Sequence, residues 1–128
     1  MTSIMDDFEL IYSYTREEAV EDGVLYNLSL EFPEEVKEAG INIPIFCTEF
    51  VYNTYIMLTE KAKQALNDTK GRAWDLLFMS RPALKKSLKD GYAYFGFYCV
   101  VDRLKPCFCR CVVEFDGEAF TIMKIGED

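Results

Sequence analysis

Apolar and polar positions alternate with the two-residue period of a β-strand in three consecutive segments of the C-terminal third. The segments are residues 92–101, 107–115 and 120–125, and Asp116 and Gly117 supply a tight turn between the last two. Strands joined by short connections pair antiparallel, and this alternation is typical of a sheet with one covered face. We therefore predict a C-terminal antiparallel β-meander of three or more strands.

The N-terminal segment predicts a strand followed by a short helix. Residues 8–14 are rich in apolar side chains and form a candidate edge strand. Thr15 and Glu18 have the spacing of a capping box, which begins a helix. Gly23 suits the left-handed position that ends a helix, so this one has about two turns.

The middle of the chain predicts a second short helix and then the main helix. Residues 34–39 form the short helix, with extended segments at residues 24–28 and 41–45 on either side. Thr48 is a candidate N-cap for the main helix, whose apolar positions continue at helical spacing to about Asn67.

A further helix carries Trp74, Leu77, Phe78 and Arg81 on one stripe, and we expect Pro82 to end or kink it. Trp74 is then the residue that anchors this helix to the sheet. We therefore predict a single α+β domain, residues 1–128, in which N-terminal helices pack on one face of the C-terminal meander.

Arg72 and Asp75 lie three residues apart, so they can pair on one surface of this helix. Arg16 or Asp22 would complete a buried network with them. The alternative interpretation is a small polar pocket that binds a ligand.

The bulk composition indicates a folded chain without a membrane segment. Half of the residues are hydrophobic and 15% are aromatic, and no apolar run approaches the ~20 residues that span a bilayer. The first residues do not have the pattern of a signal peptide, so we expect a cytoplasmic protein. Five cysteines in such a protein indicate reduced thiols.

Three cysteines alternate along the second predicted strand, and two interpretations are open. Cys107, Cys109 and Cys111, with Cys99 from the neighbouring strand, resemble a zinc-ligand set. Alternate residues of a strand lie ~6.6–7 Å apart, however, so their sulfurs converge poorly on one ion. Cysteine also behaves as a small hydrophobic residue, and we favour a core role and expect neither metal nor cofactor.

The chain contains no histidine, which removes the commonest general base and the usual catalytic triads. We therefore expect that this protein is not an enzyme.

Charge is divided unevenly along the chain. Residues 1–40 have a net charge of −9, whereas residues 61–89 have a net charge of +6. The acidic side chains could imitate a nucleic-acid backbone and bind a basic groove of a protein partner, or they could be a solvated face. A sequence pI of about 4.6 argues against direct nucleic-acid binding by residues 81–89. The acidic partner-binding candidates are Glu17, Glu18, Glu21, Asp22, Glu34, Glu35 and Glu38.

Aromatic residues occupy the sheet face opposite the cysteines. Tyr94 and Tyr98 are partner-binding candidates on this face, together with Tyr92 and Phe108. The alternatives are that an N-terminal element covers the face or that it forms a homodimer.

Four segments together resemble an uncharacterised family of small proteins from plasmids, integrative elements and phages. The cysteine-rich second strand is not a feature of that family, and the family has no assigned catalytic residues to transfer. The matching segments are residues 14–25 (YTREEAVEDGVL), residues 38–44 (EAGINIP) followed by Thr48, residues 71–79 (GRAWDLLFM) and residues 121–128 (TIMKIGED).

The resemblance implies a mobile-element setting, in which small acidic proteins often inhibit host defence. The expected function is therefore stoichiometric binding to a host protein or ribonucleoprotein complex, as in inhibitors of CRISPR or restriction nucleases. The alternatives are a small-molecule-binding protein or uncharacterised enzyme, and a plasmid maintenance factor.

Overall fold

The computed structural model describes residues 15–65, 67–101 and 103–126, and its centre is a mixed sheet. The strands are β1 (Leu25–Asn27), β2 (Ile45–Thr48), β3 (Tyr92–Cys99), β4 (Cys107–Phe115) and β5 (Phe120–Lys124). Their order in the sheet is β1-β2-β5-β4-β3. β2 and β5 are parallel, and all other neighbours are antiparallel.

The α+β class is confirmed, but the purely antiparallel meander is wrong because β2 joins the sheet parallel to β5. The predicted order of helices before strands is also wrong, because β1 and β2 lie between helices of the N-terminal half. The extended segment at residues 41–45 leads into this strand. Pro44 has no N–H to donate, so the ladder begins after it, while the Pro44 carbonyl still accepts from the Phe120 N–H at 2.9 Å. The candidate edge strand at residues 8–14 lies outside the described residues.

Six α-helical segments and one π-helical segment accompany the sheet in the described residues. Two helices begin at the N-caps predicted from the sequence, since Thr15 accepts from the Glu18 N–H at 3.1 Å and Thr48 accepts from the Val51 N–H at 3.4 Å. Gly23 has φ 76°, as a helix-ending glycine requires. The segments are α1 (Arg16–Glu21), α2 (Leu28–Glu31), α3 (Pro33–Glu38), α4 (Glu49–Val51), the π-helical segment (Tyr52–Ile56), α5 (Glu60–Gln64) and α6 (Thr69–Asp90).

The single main helix expected from Thr48 to about residue 67 is wrong. The chain is extended at Met57, with ψ 150°, so α4 and the π-helical segment end there. Thr59 starts α5 by accepting from the Ala62 N–H, and its hydroxyl also donates to the Val101 carbonyl at 2.8 Å. The segment has the apolar spacing of one helix, but the N-cap at Thr59 and its hydrogen bond to Val101 divide it into two helical parts.

α6 is the longest helix and continues through Pro82, which the sequence predicted as an end or a kink. Its buried side packs on β3 and β4, so residues before and after the proline are held against the same surface. Proline removes one amide and lies on the exposed side of the helix. Packing on both sides of this position explains why the helix does not stop.

Trp74 does not anchor α6 to the sheet, so that prediction is wrong. The indole is 37% exposed, its Nε1 donates to Glu38 of α3 at 3.0 Å, and its ring stacks on Phe78. Leu76 and Leu77, which are fully buried, belong to the hydrophobic core instead. The large apolar residues alone indicate the wrong side of the helix as buried, because the small residues Ala73, Ser80 and Ser87 form part of the buried side.

The sheet has two faces that differ in what they contact. The inner face, beneath α6, is the hydrophobic core, and it includes Cys109, Cys111 and Val113 of β4. The outer face carries the alternate residues of the same strands. Among the described residues, no helix has the length and apolar character needed to cross a bilayer.

Arg16 fastens α1 to the turn between β4 and β5. Its guanidinium forms an ion pair with Asp116, lies 3.6 Å from Glu118 and stands over the ring of Phe46 on the outer face. Asp116 also accepts from the N–H groups of Glu118 and Ala119 at 2.9 Å. Arg16 is therefore not part of a network with Arg72 and Asp75.

These contacts predict that Asp116→Asn lowers stability in a pH-dependent way. Burial alone would raise the pKa of Asp116, but the two backbone N–H groups and Arg16 hold it below its usual value. A lowered folded-state pKa stabilises the fold above the unfolded pKa of about 4, and this contribution is lost as pH falls through the folded-state pKa. We expect a loss of about 1 kcal/mol at neutral pH, measured by chemical denaturation.

The loss should shrink as the pH is lowered, and the matched control is Glu114→Gln on the neighbouring strand. An equal loss at neutral and acidic pH would show that the carboxylate charge at Asp116 is unimportant.

Candidate functional site

Aromatic side chains dominate the outer face at β3 and β4. Tyr94, Tyr98 and Phe108 are 62%, 70% and 55% exposed, which is high for side chains of this size. Residues on this face alternate with the buried core residues of the same strands, so the core fixes their direction. We call the set the aromatic face, and it consists of Tyr92, Tyr94, Tyr98, Phe108 and Arg110.

The rings of the aromatic face support one another across and along the strands. Tyr98 lies directly opposite Phe108 in the β3–β4 ladder, and their ring centroids are 5.2 Å apart. Tyr92 and Tyr94 meet edge to face at 5.7 Å. Such contacts restrict side-chain motion in the free protein, which lowers the entropy lost on binding.

Gly96 provides the space for Phe108. A Cβ atom at Gly96 would lie 2.3 Å from the tip of the Phe108 ring, so the ring occupies the position that a side chain would take. Glycine in a strand often marks such a close approach. The absence of a side chain at Gly96 therefore lets the Phe108 ring lie along the sheet surface.

Two hollows flank Tyr94 on this face. One has a volume of about 480 Å³ between Tyr94, Phe108, Arg110 and Ile125. The other has a volume of about 210 Å³ between Tyr94, Ile125 and Glu114. A projecting aromatic residue between two depressions is a shape that a protein partner can engage from both sides.

A separate hollow lies beside α1, and we call it the acidic hollow. It has a volume of about 380 Å³, and its apolar lining residues are Val20, Phe46 and Leu30, of which Leu30 is 77% exposed. Glu17 and Glu21 stand at its edge on the first helix. Its lining consists of Arg16, Glu17, Val20, Glu21, Asn27, Leu30 and Phe46.

The structure separates the acidic candidates into two groups. Glu17, Glu18, Glu21 and Asp22 belong to α1 or its C-cap, near the outer face, because neighbouring Arg16 contacts Phe46 there. Glu34, Glu35 and Glu38 belong to α3, which packs beside α6 on the inner side. The two groups therefore lie on opposite sides of the sheet.

The acidic hollow and the aromatic face lie on the same side of the sheet. Phe46 of β2 and the β3 tyrosines are separated by three steps in the strand order, which corresponds to roughly 14 Å. One protein partner of ordinary size could contact both regions. The sequence indicated Tyr94 and Tyr98 through period-two alternation, but no sequence pattern indicated the exposed Leu30 or the hollow that it lines.

Arg72 is buried and serves the fold. It is 4% exposed, and its guanidinium donates to the carbonyls of Val100 at 2.8 Å and Thr54 at 3.0 Å. A third hydrogen bond reaches Asn67 at 3.3 Å. Arg72 thus joins the π-helical segment, the start of α6 and the end of β3.

Asp75 lines a cavity of about 190 Å³ beside Arg72, but the ion pairs of the described residues do not include these two side chains. Burial raises the pKa of Asp75, an effect that Arg72 opposes. The cavity is smaller than the usual range for ligand pockets, roughly 300–1,000 Å³. The geometry therefore favours the structural role of Arg72 over the small polar pocket that was the alternative.

The cysteines belong mainly to the core. Cys47, Cys99, Cys109 and Cys111 are buried, and Cys107 is partly exposed at the sheet end. Within the described part of the chain, no cluster of three or more cysteine or acidic side chains has metal-site geometry. Burial raises the pKa of the Cys109 thiol to about 12, as expected for a thiol that stays protonated.

Comparison with protein-family models, with curated proteins and with solved structures gives no match for this chain.

Arg72→Met is predicted to destabilise the fold by about 3 kcal/mol, because two buried carbonyls lose a charged donor. Arg72→Lys should give an intermediate loss, since one ammonium group cannot hold both carbonyls in the same geometry. Chemical denaturation measures both losses. The exposed Lys85→Ala on the same helix is the matched control, and equal effects of Arg72→Met and Lys85→Ala would contradict the assignment.

The cysteine arrangement predicts one fast-reacting thiol. Cys107 should react with a thiol reagent in the folded protein at neutral pH, while the four buried thiols react only as fast as the protein opens. Mass spectrometry after timed alkylation measures the order, and all five should react in denaturant. Equal fast labelling of Cys109 and Cys107 would exclude the buried arrangement.

Proposed function

We propose that this protein acts by stoichiometric binding to another protein, and that its outer face is the binding surface. The observation that supports this proposal best is the aromatic face, where three large aromatic side chains are more than half exposed beside Arg110. Tyrosine and arginine are enriched among the residues that dominate the energy of protein interfaces.

The charge arrangement favours a protein over a nucleic acid. Exposed aromatic side chains can also stack on bases, and Arg110 could contact a phosphate. Glu17 and Glu21, however, stand on the same side of the sheet and would repel a phosphate backbone. A protein with a basic patch next to an apolar groove complements both the acidic hollow and the aromatic face.

The partner class that we propose is a host defence nuclease complex, of the CRISPR or restriction type. Such complexes present basic grooves to nucleic acid, and an acidic protein that docks there competes with the substrate. The resemblance of four segments to proteins of mobile elements also supports this class. Inhibition by occupancy needs no catalytic group and no cofactor.

The experiment is a phage plating assay on hosts that carry individual CRISPR or restriction systems, with and without this protein. Expression should restore plating on at least one host, and a tagged copy should capture the corresponding complex. Tyr94→Ala combined with Tyr98→Ala should weaken that capture about 100-fold or more, as expected for two central aromatic contacts. Restoration of plating on none of the hosts would exclude this partner class.

The acidic residues supply a matched pair of variants for the same assay. Glu17→Gln with Glu21→Gln changes the outer side, whereas Glu34→Gln with Glu35→Gln makes the same charge change on the inner side. The outer pair should slow association and reduce its salt dependence, and the inner pair should have little effect. Equal effects would show that only the net charge matters and would contradict a contact at α1.

A further inference from the structure

The outer edge of β3 is open. β3 is the last strand in the sheet order, and no described residue pairs with its free edge. The strand keeps an uninterrupted register of eight residue pairs with β4, from Tyr92 to Cys99. It has no charged residue, proline or bulge, which are the usual features that prevent pairing between sheet edges.

The direction of the free hydrogen-bonding groups follows from the ladder. The Phe115 N–H donates to the Gly91 carbonyl at 2.9 Å, so Gly91 and Phe115 occupy a hydrogen-bonded position of the ladder. Because such pairs alternate, the odd-numbered residues of β3 direct their N–H and C=O groups toward β4. The even-numbered residues direct theirs to the open edge, and these are Tyr92, Tyr94, Gly96 and Tyr98.

α6 presents a self-complementary stripe on the flank next to this edge. Asp75, Met79, Pro82 and Lys86 follow one another at spacings of four, three and four residues, so they share one side of the helix, and all four are exposed. Asp75 lines the same cavity as Tyr98, which places this flank beside β3. The opposite flank carries Trp74, which contacts α3.

The stripe has opposite charges at its two ends and apolar residues between them. The point midway between Asp75 and Lys86 lies between residues 80 and 81, one residue from the middle of α6. A twofold axis near that middle would therefore bring Asp75 of one copy to Lys86 of the other, twice, with Met79 and Pro82 in the centre. A twofold interface requires a surface with this kind of self-complementarity.

The spacing of the elements is compatible with such an arrangement. α6 packs over both β3 and β4. If two copies of β3 pair, the two α6 helices lie about two strand spacings apart, roughly 10 Å, which is a normal distance between packed helices. The strand pairing and the helix contact can therefore form together.

We propose that the protein forms a homodimer in which two β3 strands pair antiparallel, joining the two sheets, while the Asp75–Lys86 stripes of the two α6 helices meet above them. The dimer places two aromatic faces side by side on one continuous surface. It is independent of the identity of any host partner.

The test uses the full chain in sedimentation velocity experiments over a range of concentrations. The wild type should sediment as a dimer. Lys86→Glu alone and Asp75→Lys alone each place like charges opposite one another twice. The dimer dissociation constant of each variant should therefore rise by about tenfold or more. An equimolar mixture of the two variants should regain the dimer, since both charge contacts are then attractive.

A backbone variant tests the strand contact separately. Tyr94→Pro removes an N–H that faces the open edge without removing a hydrogen bond to β4, so it should abolish the dimer and leave the monomer folded by circular dichroism. Tyr94→Ala retains that N–H and should retain the dimer.

Three results would overturn the proposal. The first is a wild type that remains monomeric at all concentrations, whether the edge stays open or accepts a strand from another protein. The second is a dimer whose affinity is unchanged in both single charge variants, or a dimer that persists in Tyr94→Pro. The third is a loss of monomer stability in Tyr94→Pro, which would show that a segment of the same chain already pairs with this edge.

Discussion

The packing of α6 against the inner face of the sheet is the constraint on which the other features depend. The helix leads through Gly91 into β3, and its buried side covers β3 and β4 with small and aliphatic residues. The core residues of each strand then face α6, and their neighbours must face outward. The exposed aromatic residues are thus a geometric consequence of the buried cysteines and valines on the same strands.

Arg72 holds the start of α6 to the neighbouring segments at one end of this packing. A buried guanidinium is costly unless its donors are satisfied. Two backbone carbonyls and an amide oxygen accept from the two Nη atoms, whereas the buried Nε has no hydrogen-bond partner among the described residues. These acceptors belong to segments that are distant along the chain. The same hydrogen bonds that hold the segments together also occupy both Nη atoms of the arginine.

The sequence predicted the features that depend on local patterns and failed where tertiary contacts decide. β3, β4 and β5 follow from alternation, and the starts at Thr15 and Thr48 follow from capping chemistry. β2 was missed because its pairing with β5 is parallel and distant in sequence. The prediction that Trp74 is buried was wrong because polar residues occupy part of the buried side of α6. Ser80 and Ser87 can be buried there because their hydroxyls donate to backbone carbonyls of their own helix at 2.7 Å.

The same distinction applies to the surfaces proposed to bind. Period-two alternation identifies Tyr94 and Tyr98, but only the strand order shows that they lie at an open edge. The charge count of residues 1–40 suggested one acidic surface, whereas the sheet divides it, leaving Glu17 and Glu21 with the aromatic face and Glu34 and Glu35 behind it. Because charges on opposite sides of a sheet cannot contact one groove together, a sequence-wide net charge overstates the charge available to one partner. The position of each charge relative to the sheet therefore matters more for recognition than the total.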